Sequence, residues 1–505
     1  MTKKDTFFDY INEGYKTKGD FITLGAAMLG EETISDAYVK IPLKTINRHG
    51  LIAGATGTGK TKTLQVFAEN LSDKGIPVLL MDVKGDLSGL AQPSPGHAKI
   101  DERHAKIGFP FEAKKFPVEI LTISEQKGTR LRATVSEFGP TLLSRILDLS
   151  ETQSGIVAVL FKYCDDKKLP LLDLKDFKKV LQYATSEGKK EIEGEYGRIS
   201  TASTGSILRK IVEIEQQGGD LFFGERSFEI EDLIRIDEDG RGVISVLRLT
   251  DIQDKPKLFS TFMLQLLAEI YSTLPEQGDS GQPELVLFID EAHLVFKEAS
   301  KALLGQIESI VKLIRSKGVG VYFVTQNPKD IPSDVLSQLG LKIQHALRAF
   351  TANDRKAIKL TAENYPDSEY YDTADVLTKL GIGEALVSSL NEKGIPTPLA
   401  RTMLRAPMSR MDVLTPKELK TQIALSDIAE KYNEVIDRKS AYEILNGKID
   451  KAHEREEKEA AAKEKAKAKK TTTIRKSTRM NPILKVVTSA TFIRGVLGIL
   501  KRVMK

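Results

Sequence analysis

Residues Gly54–Thr61 read Gly-Ala-Thr-Gly-Thr-Gly-Lys-Thr, and no other eight residues constrain the fold of this chain as tightly. The octet satisfies G-x-x-x-x-G-K-[ST], a loop that works only between a buried strand and a helix. Its flanks supply both. Gly50-Leu51-Ile52-Ala53 is an apolar run suited to a buried strand, and Thr63 to Leu71 carries Leu64, Phe67, Ala68 and Leu71 on one helical face. The glycines let successive backbone N–H groups curl around a β-phosphate, and the helix N-terminus adds partial positive charge. Lys60 is suited to neutralise β/γ-phosphate oxygens, and the Thr61 hydroxyl to complete a Mg²⁺ shell. Gly54, Ala55, Thr56, Gly57, Thr58, Gly59, Lys60, Thr61 and Lys62 are therefore the expected nucleotide-binding residues.

The rest of the chain predicts the sheet that such a loop needs. Apolar runs at Ile76 to Val83, Pro117 to Ile123, Gly242 to Leu249, Glu284 to Asp290, Val319 to Thr325 and Lys342 to Leu347 read as strands. Helical spacing recurs at Leu258 to Leu274 and Ala302 to Ser316. Strands this continuously apolar, alternating with helices, indicate a parallel sheet covered on both faces. Gly383 to Leu390 and Thr397 to Leu404, separated by Asn391-Glu392-Lys393-Gly394, read as a hairpin. Phe21 to Leu24 and Ala37 to Leu43 are candidates for edge strands. Between about Gly139 and Ile236 the pattern turns mostly helical, at Thr141 to Leu149, Asp173 to Ala184 and Ile207 to Gln217.

These signals divide the chain into a lead-in (1–48), the first part of a phosphate-loop core (49–138), a helical insertion (139–236) and the second part of the core (237–410). A charged helical region and linker (411–470) and a basic tail (471–505) follow.

Two further strands end in residues fit for chemistry. Leu285-Val286-Leu287-Phe288-Ile289 runs into Asp290-Glu291-Ala292-His293, so a buried strand delivers two carboxylates at its C-terminal end, where α/β sheets bind ligands. Asp290 is suited to hold Mg²⁺ with Thr61, and Glu291 to polarise an attacking water as general base. Val319 to Thr325 ends in Gln326-Asn327-Pro328, and Gln326 is placed to meet the γ-phosphate or its water. Asp82, Lys84 and Asp86 follow the second strand: Asp82 reads as orienting that water or the Mg²⁺ shell and Lys84 as meeting phosphate, or both as a solvated turn. His293 reads as a relay of nucleotide state or as a structural helix start. His345 and Cys164 lack partners at metal-ligand spacing, so no metal other than Mg²⁺ is expected.

These motifs, in this order, resemble the HerA–FtsK superfamily of ring-forming ATPases, and in detail the bacterial YjgR-type family with its HerA C-terminal-like domain. The resemblance rests on Gly50–Thr63, Met81–Gly89, Phe288–His293, Thr325–Pro328 and Gln344–Phe350, and covers Thr45 to Pro407. It implies ATP as the nucleotide, a RecA-like P-loop NTPase core and a homo-oligomer, with a hexameric ring and a role as DNA translocase or helicase left open. It also implies an arginine that reaches a neighbour's γ-phosphate, with Arg348 the first candidate and Arg355 the second. Fewer than fifty residues precede the phosphate-loop strand. That is short of the N-terminal β-barrel of HerA proper, so the resemblance is not extended to DNA-end processing or a nuclease partner. An ATP-dependent assembly switch that does not translocate is the alternative, and a small-molecule phosphotransferase a third reading without a marked acceptor site.

Charge separates body from tail. From Ala460 onward there are 13 Lys/Arg and one acid, so the tail carries +12 against a whole-chain +5 and leaves the body at −7. An acidic body argues against a broad nucleic-acid surface, although a local stripe or pore remains compatible with it. Ile483, Val486, Val487, Ala490, Ile493, Leu497, Leu500 and Met504 recur at helical spacing among lysines and arginines, as in a basic amphipathic helix. An anionic membrane surface, the protein's own subunits and nucleic acid are its three candidate partners. One cysteine, no secretory signal and no spanning apolar run make the expected location cytoplasmic, with peripheral attachment to the inner membrane face through the tail.

Overall fold

Twelve strands form one sheet in the order β2-β1-β12-β11-β10-β3-β9-β8-β4-β7-β5-β6. In this computed structural model the described residues are 2–471, apart from 279, 297–300, 350, 435 and 437. The strands are β1 (Phe21–Leu29), β2 (Glu32–Pro42), β3 (Gly50–Ala53), β4 (Val78–Asp82), β5 (Val118–Thr122), β6 (Thr129–Arg130), β7 (Ile244–Arg248), β8 (Leu285–Ile289), β9 (Val319–Thr325), β10 (Leu341–Gln344), β11 (Glu384–Ser388) and β12 (Ala400–Leu404). Neighbours from β10 to β6 are parallel, and the four strands from β2 to β11 are antiparallel. The mainly parallel RecA-like sheet expected from the sequence is therefore present. So are the two strands of the lead-in, of which β2 is at the edge and β1 lies inside it, and the hairpin, whose second strand lies between β11 and β1.

Helices cover the sheet for a simple reason: its strands are apolar on both faces. The first helix, α1, is Lys3–Gly14, and on one face of the sheet Val286, Phe288, Tyr322 and Val324 are buried against Leu64, Phe67, Ala68 and Leu71 of the second, α2 (Lys60–Asp73). The Phe67 ring lies 5.6 Å from Phe288 and 5.1 Å from Tyr322 between centroids. Truncating a ring so enclosed costs about 3–5 kcal/mol. On the other face Leu287, Ile289, Val321 and Phe323 are equally buried, with Phe296 against Phe323 and helix Lys301–Ile314 on β9.

Between β6 and β7 the chain is helical, as expected, with helices at Val135–Ile146, Glu151–Asp166, Leu174–Thr185, Lys189–Tyr196 and Thr201–Gln216. Phe138 and Phe222 of this stretch form an aromatic cluster with Phe262 of the helix after β7, Pro256–Thr273. The chain divides into two compact units, Met1–Ile444 and Leu445–Lys505. In the second, residues 450–465 are helical and exposed, with spaced pairs Glu454–Lys458 at 3.7 Å and Glu459–Lys463 at 3.8 Å. No helix of the described residues is long and apolar enough to cross a membrane. The amphipathic pattern expected for 483–504 lies outside the described residues.

Candidate nucleotide site

Parallel strands deliver their C-terminal loops to one edge of the sheet, and the sequence motifs meet there. The phosphate loop follows β3 and runs into α2, whose first N–H groups receive no side-chain cap. They are left open to an anion. Gly54 has φ +153° and packs so close to the next element that a Cβ would stand 2.5 Å from His345 Cβ, a position only glycine fills. Past β10 the chain braces the loop: His345 N–H donates to Ala53 O at 2.7 Å, and Ala55 N–H to Ala346 O at 2.9 Å. The His345 ring, buried beneath the loop, has Nε2 2.9 Å from Thr63 Oγ1. Burial, then the nearby Lys60 charge, lower its pKa to about 4, so the imidazole is neutral.

Lys60 is buried, and its ammonium donates to Gly54 O at 2.7 Å and Ala55 O at 3.1 Å. The cation thus rests on carbonyls of its own loop. Thr58 O accepts from Gly383 N–H at 3.0 Å. Arg103 holds that second loop by donating to the carbonyls of Gly383, Leu404 and Ile382 at 3.1, 3.1 and 3.0 Å. Sequence reading missed Arg103, because nothing local to a charged helix marks an arginine that braces a loop nearly three hundred residues away.

Asp290 and Glu291 leave β8 buried, and Glu291 has φ +47°, uncommon for a residue with a side chain. Gln326, from the end of β9, joins them to the phosphate loop. Its Nε2 donates to Glu291 Oε1 at 3.5 Å, and its Oε1 accepts from Thr56 Oγ1 at 3.3 Å. Lys84 stands 2.6 Å from Glu291 Oε1 and 4.0 Å from Asp290 Oδ2, and His293 Nδ1 lies 3.2 Å from Glu291 Oε2. Burial, with Glu291 beside it, raises Asp290 to about 7 despite Lys84. Burial also acts to raise Glu291, but the Lys84 ammonium outweighs it and holds that carboxylate below its ordinary value. The two acids are driven apart, the pattern of a site that divides roles between carboxylates.

Asp82 is a turn-holder in this arrangement. Its carboxylate accepts from the N–H groups of Gly85, Asp86 and Leu87 at 2.7, 3.1 and 3.2 Å, which ties down the loop that carries Lys84. Arg348 and Arg355 are exposed beyond β10, and neither forms an ion pair with the acid pair among the described residues. No metal-binding cluster of His, Cys, Asp and Glu occurs among the described residues.

One further group escaped the sequence reading. Glu69 of α2 is fully buried and accepts from Met408 N–H at 2.8 Å, Ser409 N–H at 3.0 Å and the Ser409 hydroxyl. Gln65 donates to Ser409 Oγ at 2.6 Å and Arg410 O at 2.9 Å, and Lys62 donates to Met411 O. The segment that follows β12 is thereby strapped along the phosphate-loop helix. An acid four residues from Gln65 on an otherwise apolar face was the available signal.

The family model described as helicase HerA-like C-terminal matches residues 28–497. The chain belongs to that family. The HerA-like chain is 25% identical over 428 residues to the DNA double-strand break repair helicase HerA of Sulfolobus acidocaldarius, covering 80% of this chain and 76% of that protein. Against the protein of the same description from Saccharolobus solfataricus it is 24% identical, covering 72% of this chain and 66% of that one. In fold it is similar to the bacterial conjugative coupling protein TrwB, with a TM-score of 0.51 at 15% identity, covering 81% of this chain and 94% of that one. TrwB solved with the non-hydrolysable ATP analogue ADPNP gives a TM-score of 0.50 at 15% identity, covering 79% and 99%. The HerA-like family is one of helicase-type, nucleotide-driven ATPases, and the fold is that of its phosphate-loop core.

Proposed function

We propose that this protein is a Mg²⁺-dependent ATPase of the HerA kind that works as a homo-oligomer on DNA. The observation that carries the reading is the side-chain chain Thr56–Gln326–Glu291, which sets a buried acid pair beside the phosphate loop. Lys60, Thr61, Lys62 and the loop N–H groups bind the phosphates, Glu291 accepts a proton from the attacking water, and Gln326 orients that water. Arg348 reaches a neighbouring subunit's phosphate in the assembled form.

Asp290 Oδ2 is buried without a hydrogen-bond partner. With the Thr61 hydroxyl it offers the hard oxygen donors that suit Mg²⁺. The ion supplies charge neutralisation on phosphate oxygens when bound. Lys60 offsets the remaining negative charge, and the tight packing around Gly54 and His345 keeps the loop in shape before ligand arrives.

The deciding experiment measures phosphate release with and without single- and double-stranded DNA, alongside the mass of the protein in solution. Turnover stimulated by DNA in an oligomer supports the motor. Turnover indifferent to DNA, from a protein that changes oligomeric state with ATP, supports the assembly switch. Absence of turnover in wild type, or normal turnover in Glu291→Gln, rejects the ATPase assignment as drawn.

A further inference from the structure

Strand pairing places Lys84 where it stands. Met81 of β4 is the register partner of Ile289 of β8, so the loops beyond them leave the sheet side by side. Three residues later the β4 loop presents Lys84; two residues later the β8 loop presents Glu291. Asp82, accepting from three successive N–H groups, holds the β4 loop in the tight turn that Gly85, at φ +77°, permits. The ammonium is therefore aimed by a built support. At 2.6 Å it occupies Glu291 Oε1, the oxygen that also accepts from Gln326. Through Gln326, which also meets Thr56 of the phosphate loop, that carboxylate oxygen and the ammonium on it are tied to the loop that carries Lys60.

Resting on the nucleotide-site reading above, we propose that Lys84 is a positioning residue that reports the γ-phosphate to Glu291. Without a γ-phosphate the ammonium stays on the carboxylate and blocks the oxygen that must accept the water's proton. A triphosphate supplies a stronger anion within the same pocket; the ammonium moves to it, and Glu291 Oε1 is released. Departure of phosphate returns the ammonium to the carboxylate. The site thereby distinguishes ATP from ADP through one lysine, and the base is exposed only when there is a bond to break.

The test compares affinity for fluorescently labelled ADP and ADPNP, each with excess Mg²⁺, in wild type, Lys84→Met, Lys84→Arg, Glu291→Gln and the Lys84→Met/Glu291→Gln double variant. Lys84→Met is expected to weaken ADPNP binding about tenfold, as for loss of a charge-assisted hydrogen bond, and to leave ADP unchanged. Lys84→Arg restores most of the difference. Glu291→Gln frees the ammonium and tightens ADPNP binding, a gain that vanishes in the double variant. Equal shifts for ADP and ADPNP in Lys84→Met, or no shift for either, overturn the proposal, as does a Glu291→Gln gain that persists without Lys84. Failure of wild type to bind either nucleotide instead overturns the site assignment beneath it.

Discussion

Gln326 Nε2 lies 3.5 Å from Glu291 Oε1, and this contact ties the end of β9 to the end of β8. Because β9 sits between β3 and β8, a side chain at its C-terminal end spans the gap between phosphate loop and acid pair. Under the proposed function, sheet order is what brings a nucleotide on Lys60 and a water on Glu291 to one place.

Glu291→Gln removes the proposed proton acceptor and preserves size. Turnover is expected to fall by about 10²–10⁴-fold with nucleotide binding retained. Phosphate release and equilibrium binding on the same preparation check this. Lys60→Ala, in contrast, is expected to lose affinity.

Gly54→Ala tests the packing under the loop. The added Cβ meets His345 Cβ at 2.5 Å on a backbone at φ +153°. Together these cost on the order of 1–3 kcal/mol. Melting should drop by several degrees and nucleotide binding should disappear, measured by thermal unfolding and fluorescent-nucleotide titration.

As the proposed Mg²⁺ ligand, Asp290 is expected to make cation-dependent binding sensitive to pH. Burial, chiefly, raises it to about 7, so it takes up a proton as pH falls through neutrality, and a protonated carboxyl is a poor ligand for Mg²⁺. Mg²⁺-dependent nucleotide affinity is expected to decline from pH 8 to pH 6, by at most about tenfold per unit. Titrations in Asp290→Asn should show a flat profile; an equally steep one sinks the assignment.

Glu69 bears on stability instead. Burial, partly offset by the Ser409 hydroxyl and the Met408 and Ser409 N–H groups, raises it from 4.5 to about 7. Between those values the folded chain keeps a proton that the unfolded chain has lost. Its contribution is therefore most favourable below pH 4.5 and declines as pH rises to 7, by about 3 kcal/mol at most. Wild type should show this decline in thermal melts from pH 5 to 8, and Glu69→Gln a shallower one from a lower starting stability.

The strands that carry chemistry were legible because they are apolar on both faces. Val319–Thr325 was read to the residue, and Leu285–Ile289 within one residue at each end. Helix Lys3–Gly14 was not read: it buries only Phe7 and Ile11 among charged neighbours, too narrow a stripe to stand out. Helix Ala98–Ile107 buries Ile100, His104 and Ile107 and was missed for the same reason. The phosphate loop, Asp290 and Glu291 announce themselves because their spacing is local. Lys84 was placed near phosphate, but its hold on Glu291 depends on β4 pairing with β8 across two hundred residues, which no local pattern encodes. Asp82 read either as orienting the water or Mg²⁺ shell or as part of a solvated turn; its carboxylate is buried and accepts from three amides of its own turn, a long-range burial that the local sequence does not encode.

The pairing of β1 with β12, Gly25 opposite Leu404, has a consequence during synthesis. The first hairpin, which ends at Pro42, leaves the ribosome with one side of its ladder open until its partner strand, which begins at Ala400, is made. Met408 and Ser409, which satisfy the buried Glu69 carboxylate, emerge later still. The sheet and the packing along the phosphate-loop helix are thereby completed only once nearly the whole core has been made.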